Sequence, residues 1–206
     1  MKLSDTEREI ATTIVQMMVD YGLIEELTEG RLDDWFYKNK LHNEGFDLST
    51  GMTKACIIHN DLCNWVIKVG FVRGVKIDYA KKEYECYCLA KDAGLEHYFP
   101  TTIYLGDFGN RPFYLQQKAT CCEEEVSSEW YERLRDRYDE YEEEYDCDNL
   151  WDIIYDMDDD EKVILTFGDE ELAEFLRENR IGDLHEGNFG YIGGCLVIVD
   201  FSGFIG

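Results

Sequence analysis

The chain has 206 residues, 45% of them hydrophobic, and a formal net charge of -25. This size and apolar content suffice for one good core or two small lobes sharing a cleft. The charge excludes non-specific binding to DNA, RNA or anionic membrane, because such binding needs Lys and Arg to neutralise phosphates.

No apolar run has the length needed to span a bilayer, and Met1 to Asp5 leads into an acidic-polar helix instead of a basic and then apolar leader, so cytoplasmic residence is expected. The eight cysteines include no C-x-x-C pair, and most stand among apolar neighbours, where a thiol behaves as a small hydrophobe. Neither a disulfide framework nor a zinc site is expected. The vicinal pair Cys121-Cys122 is the one candidate redox feature.

In chain order, Ser4-Asp5-Thr6-Glu7 is a capping-box pattern. Ile10, Ile14, Met17, Met18 and Tyr21 follow at helical spacing, which predicts a helix to about Tyr21 that stops near Gly22. A second short helix is expected over Leu32 to Lys40, the two serving as a packing element or, alternatively, a partner-binding surface. From Phe46 the period changes. Lys54 to His59 and Asn64 to Val69 read as strands joined through Asn60 to Cys63. On the second of these, Lys68 is flanked by apolar residues and needs a carboxylate or phosphate partner if the strand is buried; as an edge-strand lysine it would instead discourage aggregation.

A helix is predicted over Tyr79 to Ala93, ended by Gly94. Ala80, Glu83, Tyr87 and Ala90 share one face of it, which points Glu83 inward, with Glu85 as the competing acid. Strands near Thr101 to Leu105 and Phe113 to Gln117 follow, separated by a turn over Asp107 to Pro112. Glu123 to Glu161 carries acidic clusters interleaved with aromatic and aliphatic residues at helical intervals. We read helices over about Ser128 to Tyr145 and Asn149 to Met157, with a further one over Glu170 to Asn179. The acids of the first two form a solvated face, a recognition surface for a basic protein substrate, or a mimic of nucleic acid that occupies a DNA-binding partner.

The densest chemistry lies in Ile181 to Gly203, IGDLHEGNFGYIGGCLVIVDFSG. Asp183 and Asn188 fall in a tight polar loop, and Tyr191 to Ile192 and Leu196 to Val199 read as two short strands hinged at Gly193-Gly194. The second strand delivers Asp200. A magnesium ion takes hard oxygen ligands, which the Asn188 amide and Asp200 carboxylate supply, and Asp183 is then available to orient or deprotonate a hydroxyl. A D-x-x-x-x-N spacing in isolation is also compatible with an ordinary polar turn.

Together, Asp183 with Asn188, and Asp200-Phe201-Ser202-Gly203 after a strand, resemble the catalytic and metal-binding loops of the protein kinase-like superfamily. The wording GDLHEGN is similar to that of aminoglycoside and choline phosphotransferases, with His185 in the place of the usual catalytic-loop Lys. Ile181 departs from both patterns, which have His there. The resemblance covers roughly Phe46 to Gly203. It implies an α+β, two-lobed fold with a small antiparallel-sheet lobe and a truncated, mainly helical second lobe. The expected divisions are 1–45, an N-terminal helical extension; 46–119, the sheet lobe; and 120–206, the helical lobe with the catalytic and metal-binding loops.

The resemblance also implies roles. Lys68, held by Glu83, would bridge the α and β phosphates of ATP; Asn188 and Asp200 would bind Mg2+; Asp183 would orient the acceptor hydroxyl. Leu115, Gln116 and Gln117 would fall at the adenine-reading hinge. Ser49, Thr50 and the backbone near Gly51 would cover the phosphates, although no G-x-G-x-x-G motif stands there, and His185 would lie beside the nucleotide. With only three residues after Gly203, no activation segment or later substrate-docking helix is expected, and Gly182, where many regulated kinases carry Arg, implies competence without phosphorylation gating. The expected function is transfer of a phosphoryl group from ATP to a protein Ser or Thr. Alternatives are a small-molecule kinase, a non-catalytic module acting through acidic helices, and nucleotidyl transfer. Compact kinases of this sort are familiar from phages and bacterial effectors.

Overall fold

The computed structural model describes residues 2–29, 32–51, 53–71, 77–120, 158–182, 184 and 188–201. Helix α1 (Asp5–Asp20) starts at the expected capping box: the Ser4 amide donates to Glu7 Oε2 at 2.9 Å, and the Glu7 amide donates to Ser4 Oγ at 3.2 Å. Reciprocal capping of this kind satisfies two amides that a helix start otherwise leaves without partners. α1 buries Ala11, Ile14, Val15 and Met18 along one stripe. Helix α2 (Leu23–Glu29), which the sequence reading omits, and helix α3 (Leu32–Lys38) follow. A 3-10 turn over Leu41–Glu44 leads into the first strand.

Five strands form one antiparallel sheet in the order β1-β2-β3-β5-β4: β1 (Phe46–Thr50), β2 (Lys54–His59), β3 (Trp65–Gly70), β4 (Thr102–Phe108) and β5 (Arg111–Gln117). The β4–β5 turn is tighter than expected, closing on Gly109 and Asn110, so both strands run longer. Between β3 and β4 comes helix α4 (Tyr79–Ala93). It starts at Asp78, whose carboxylate accepts from the Lys81 amide at 3.0 Å, and ends at Gly94 in the left-handed region.

The two faces of the sheet are covered differently. Ala55, Ile57, Trp65, Ile67, Val69, Phe113 and Leu115 share one core with Ala11, Ile14, Val15 and Met18 of α1, Leu23 and Leu27 of α2, and Trp35 and Phe36 of α3. Along β3, β4 and β5 the residues in between face α4, where the Tyr84 ring lies 5.4 Å from Tyr114 and 6.4 Å from Tyr104. This is the period-two alternation of a sheet packed on both sides. Trp65 has no exposed surface, and its indole N–H donates to Glu7 Oε1 at 3.1 Å, which ties the α1 cap to β3.

The chain divides into two compact units, the first formed by Met1–Glu96 and Pro100–Lys118. The helices before Phe46 thus belong to the same unit as the sheet. The second unit contains His97–Phe99 and the described residues from Ala119 onward. In it, α5 (Asp159–Phe167) is followed by α6 (Glu170–Glu178), which buries Leu172, Ala173, Phe175 and Leu176. Strands β6 (Phe189–Ile192) and β7 (Cys195–Ile198) form the expected hairpin, with Gly193 and Gly194 both at positive φ, 59° and 82°. Two successive residues of this kind make the turn that matches strand twist. Phe99 packs edge-on against Phe175 and Phe201, with ring centroids 6.0 and 4.9 Å away.

The protein is therefore α+β, with a five-stranded antiparallel sheet and a helical part. Among the described residues, no helix is long and apolar enough to cross a membrane. The helices read over about Ser128 to Tyr145 and Asn149 to Met157, and the pair Cys121-Cys122, lie outside the described residues.

Candidate active site

Lys68 stands in the middle of β3, every residue of which is buried. The pairing register sets it opposite Cys56 of β2 and Tyr114 of β5, on the face that α4 covers. A lysine in that setting needs a carboxylate, since a buried ammonium without one is strongly disfavoured. Glu83 of α4 provides it: Lys68 Nζ donates to Glu83 Oε2 at 2.9 Å and to Oε1 at 3.1 Å. Glu83 is wholly buried, whereas Glu85 is exposed and pairs with Lys81 one turn away on the helix surface. The helix buries Ala80, Glu83, Cys86 and Ala90, so Cys86 takes the inward place expected of Tyr87, which is half-buried.

A third residue joins this pair. Lys54 Nζ donates to Glu83 Oε1 at 2.9 Å. Lys54 lies opposite Gly70 while Cys56 lies opposite Lys68, so Lys54 and Lys68 are diagonal neighbours on one face of two adjacent strands. Diagonal neighbours of this sort lie within reach of long side chains. Both lysines are nearly buried, 7% and 6% exposed. Two ammonium groups held at about 3 Å from one oxygen lie within roughly 6 Å of each other, so the shared carboxylate offsets a repulsion that acts at close range. Glu83 Oε1 is the acceptor that both cations share. The sequence marked Lys54 only as the start of a strand; its chemical role depends on the β2–β3 register.

The remaining expected nucleotide contacts fall as follows. Ser49 and Thr50 are exposed at the end of β1, opposite Cys56 and Ala55. The Gly51 amide donates to the Lys54 carbonyl at 3.1 Å, closing the β1–β2 turn, and is thereby engaged within the chain. Leu115 has no exposed surface and belongs to the core under α1 to α3. The Gln117 amide donates to the Thr101 carbonyl at 2.8 Å, and the Gln116 side chain donates to Thr102 Oγ1 at 3.4 Å.

In the second unit, Asn188 is buried just before β6, and Asp200 is half-buried just after β7. The Val199 amide donates to the Asn188 carbonyl at 2.8 Å, one step beyond the Phe189–Ile198 pair. Asn188 and Asp200 therefore flank the same end of the hairpin. Phe201 anchors this end with no exposed surface. Upstream, the Ile181 amide donates to the Leu176 carbonyl at 2.9 Å, which ends α6 and starts the loop. Asp183 and His185 lie outside the described residues. Among the described residues, no group of three or more His, Cys, Asp or Glu side chains could hold a metal ion.

Comparison of the chain with protein-family models, with curated proteins and with solved structures finds no match in any of the three.

Proposed function

We propose that the protein is an ATP- and magnesium-dependent phosphotransferase that transfers the γ-phosphoryl group to a protein Ser or Thr hydroxyl. The observation that carries this reading is the Lys68–Glu83 pair at 2.9 Å on a central strand and the next helix, the two residue types and elements that the resemblance assigns to phosphate positioning. In this reading Lys68 binds the phosphates and Glu83 fixes its ammonium. Asp183 orients the acceptor hydroxyl and takes its proton.

Asn188 and Asp200 would hold the magnesium. Their amide and carboxylate oxygens are hard donors of the kind that ion takes, and both flank one end of the β6–β7 hairpin. When bound, the ion supplies positive charge to the phosphate oxygens. The protein's own share of the work is positioning and electrostatic stabilisation, as in phosphoryl transfer generally.

The test is intact-mass spectrometry of the protein and a mixture of protein acceptors after incubation with ATP and magnesium, beside an Asp200→Ala control. We expect an addition of about 80 Da per phosphoryl group, absent from the control. Addition of about 329 Da would indicate adenylyl transfer instead. Absence of ATP binding in the presence of magnesium would refute the reading.

A further inference from the structure

We infer that Lys54 is a second phosphate-binding lysine, so that the nucleotide's phosphates are met by a pair of ammonium groups aligned by one carboxylate. This rests on the phosphotransferase reading above and extends it to a residue that the motifs do not include. Three observations carry it. Lys54 and Lys68 project from the same face of β2 and β3, set there by the pairing of Lys54 with Gly70 and of Cys56 with Lys68. Their Nζ atoms converge on a single oxygen, Glu83 Oε1, at 2.9 and 3.1 Å. Glu83 itself is wholly buried on α4.

A carboxylate that fixes Lys68 for a phosphate therefore fixes Lys54 beside it. A polyphosphate presents several anionic oxygens a few ångströms apart, and two cations within about 6 Å of each other suit it better than one, since each charge-assisted bond adds to affinity. Lys54 also begins its strand, and its own carbonyl accepts the Gly51 amide that closes the β1–β2 turn. The turn named in the sequence as the phosphate cover is thus joined through the backbone to the residue we assign to phosphate binding.

The experiment uses the full chain and an acyl-phosphate derivative of ATP. In that reagent a lysine Nζ near the phosphates attacks the carbonyl carbon of the mixed anhydride. The C–O bond to the phosphate breaks, an amide forms, ATP leaves, and the amine's proton goes to solvent. Peptide mapping should find acylation at both Lys54 and Lys68, suppressed at both by excess ATP. Acylation of Lys68 alone would overturn the inference and leave the phosphotransferase reading intact. Acylation of neither, together with no ATP binding by calorimetry, would remove both.

Calorimetry on variants supplies the second arm. Lys54→Met should weaken ATP binding about tenfold while leaving adenosine binding unchanged, and Lys54→Arg should restore most of the loss. A folded Lys54→Met protein with the wild-type affinity for ATP would show that Lys54 serves only as a structural partner of Glu83.

Discussion

Lys54 and Lys68, on neighbouring antiparallel strands, donate to the same carboxylate oxygen of Glu83. Removing different members of this trio should have unequal costs. Glu83→Gln removes the carboxylate that both buried ammonium groups share, and breaking a buried pair by removing one partner costs about 3–5 kcal/mol. Lys54→Met keeps the Lys68–Glu83 bonds and replaces the ammonium with an apolar chain of similar reach, so about 1 kcal/mol is expected. Lys54→Met with Lys68→Met strands the carboxylate in turn and should cost more than the two single changes combined. Urea unfolding at constant m-value of the wild type, the three single variants and the double variant measures these differences. Equal, additive losses would contradict the shared-carboxylate arrangement.

Two members of this trio are legible in the sequence and the third is not. Lys68 and Glu83 were legible because each is an isolated charge on an otherwise apolar face, and helical spacing alone separates Glu83 from Glu85. Lys54 was not, since its role depends on a register that pairs it with Gly70 across a strand boundary, and no local pattern encodes that pairing. Strand β1 was obscured by Asp47, Ser49 and Thr50, polar residues that an edge strand tolerates. Helix α2 was obscured by its shortness, and α5 because Asp158 to Glu161 read as surface acid and not as a helix start. The β6–β7 hairpin was legible from Gly193-Gly194, a pair that demands a turn.

Gly70 should be intolerant of even one added carbon. A Cβ built there would collide with Asp78 Oδ1 and sit 2.9 Å from Asp78 Cγ. That same oxygen accepts the Lys81 amide at the start of α4, the helix that presents Glu83. We expect Gly70→Ala to cost about 1–2 kcal/mol through the displaced cap. In an Asp78→Ala background the obstruction is gone, so the further cost of Gly70→Ala should be small. A thermal-melt double-mutant cycle shows whether the two losses overlap, and strictly additive losses would argue against the collision.

Thiol reactivity should follow burial. Cys63 and Cys195 are exposed, whereas Cys86 is buried on the inner face of α4. Burial pushes the Cys86 thiol up from 9.0 to about 11, and although Lys82 opposes this, Glu83 and Glu85 add to it. Because the thiolate is the reactive form, at pH 8 the shift alone slows Cys86 by about 100-fold relative to an ordinary thiol. Peptide mapping after brief iodoacetamide treatment should find Cys63 and Cys195 modified well before Cys86. Early modification of Cys86 in the folded protein would place it on the wrong face of α4.

Both extremes of pH should act on the second unit through one hydrogen bond. Tyr98 donates to Asp169 Oδ2 at 2.5 Å, and Asp169 Oδ1 accepts the Leu172 amide at 3.0 Å as the cap of α6. Burial first, and then the bond to Asp169, pushes the Tyr98 hydroxyl up from 10.0 to about 12. A raised folded value means that the contribution is fully present below about pH 10 and is lost as pH climbs towards 12. The full gap corresponds to at most roughly 2.7 kcal/mol, and solvent screening at this half-buried ring reduces it to about 1 kcal/mol. Asp169 behaves in the opposite sense. The Tyr98 bond first, and the Leu172 amide second, hold its carboxyl below 3.8, so its contribution is present above about pH 3.8 and is lost as pH falls through the lower folded value. Unfolding free energies across both ranges should therefore show a shallower alkaline fall for Tyr98→Phe than for the wild type, and a shallower acid fall for Asp169→Asn. Tyr84, Tyr104 and Tyr114 are also raised, but they are common to both proteins and cancel in the comparison. Parallel curves for wild type and Tyr98→Phe from pH 10 to 12 would show that this hydroxyl is not what ionises.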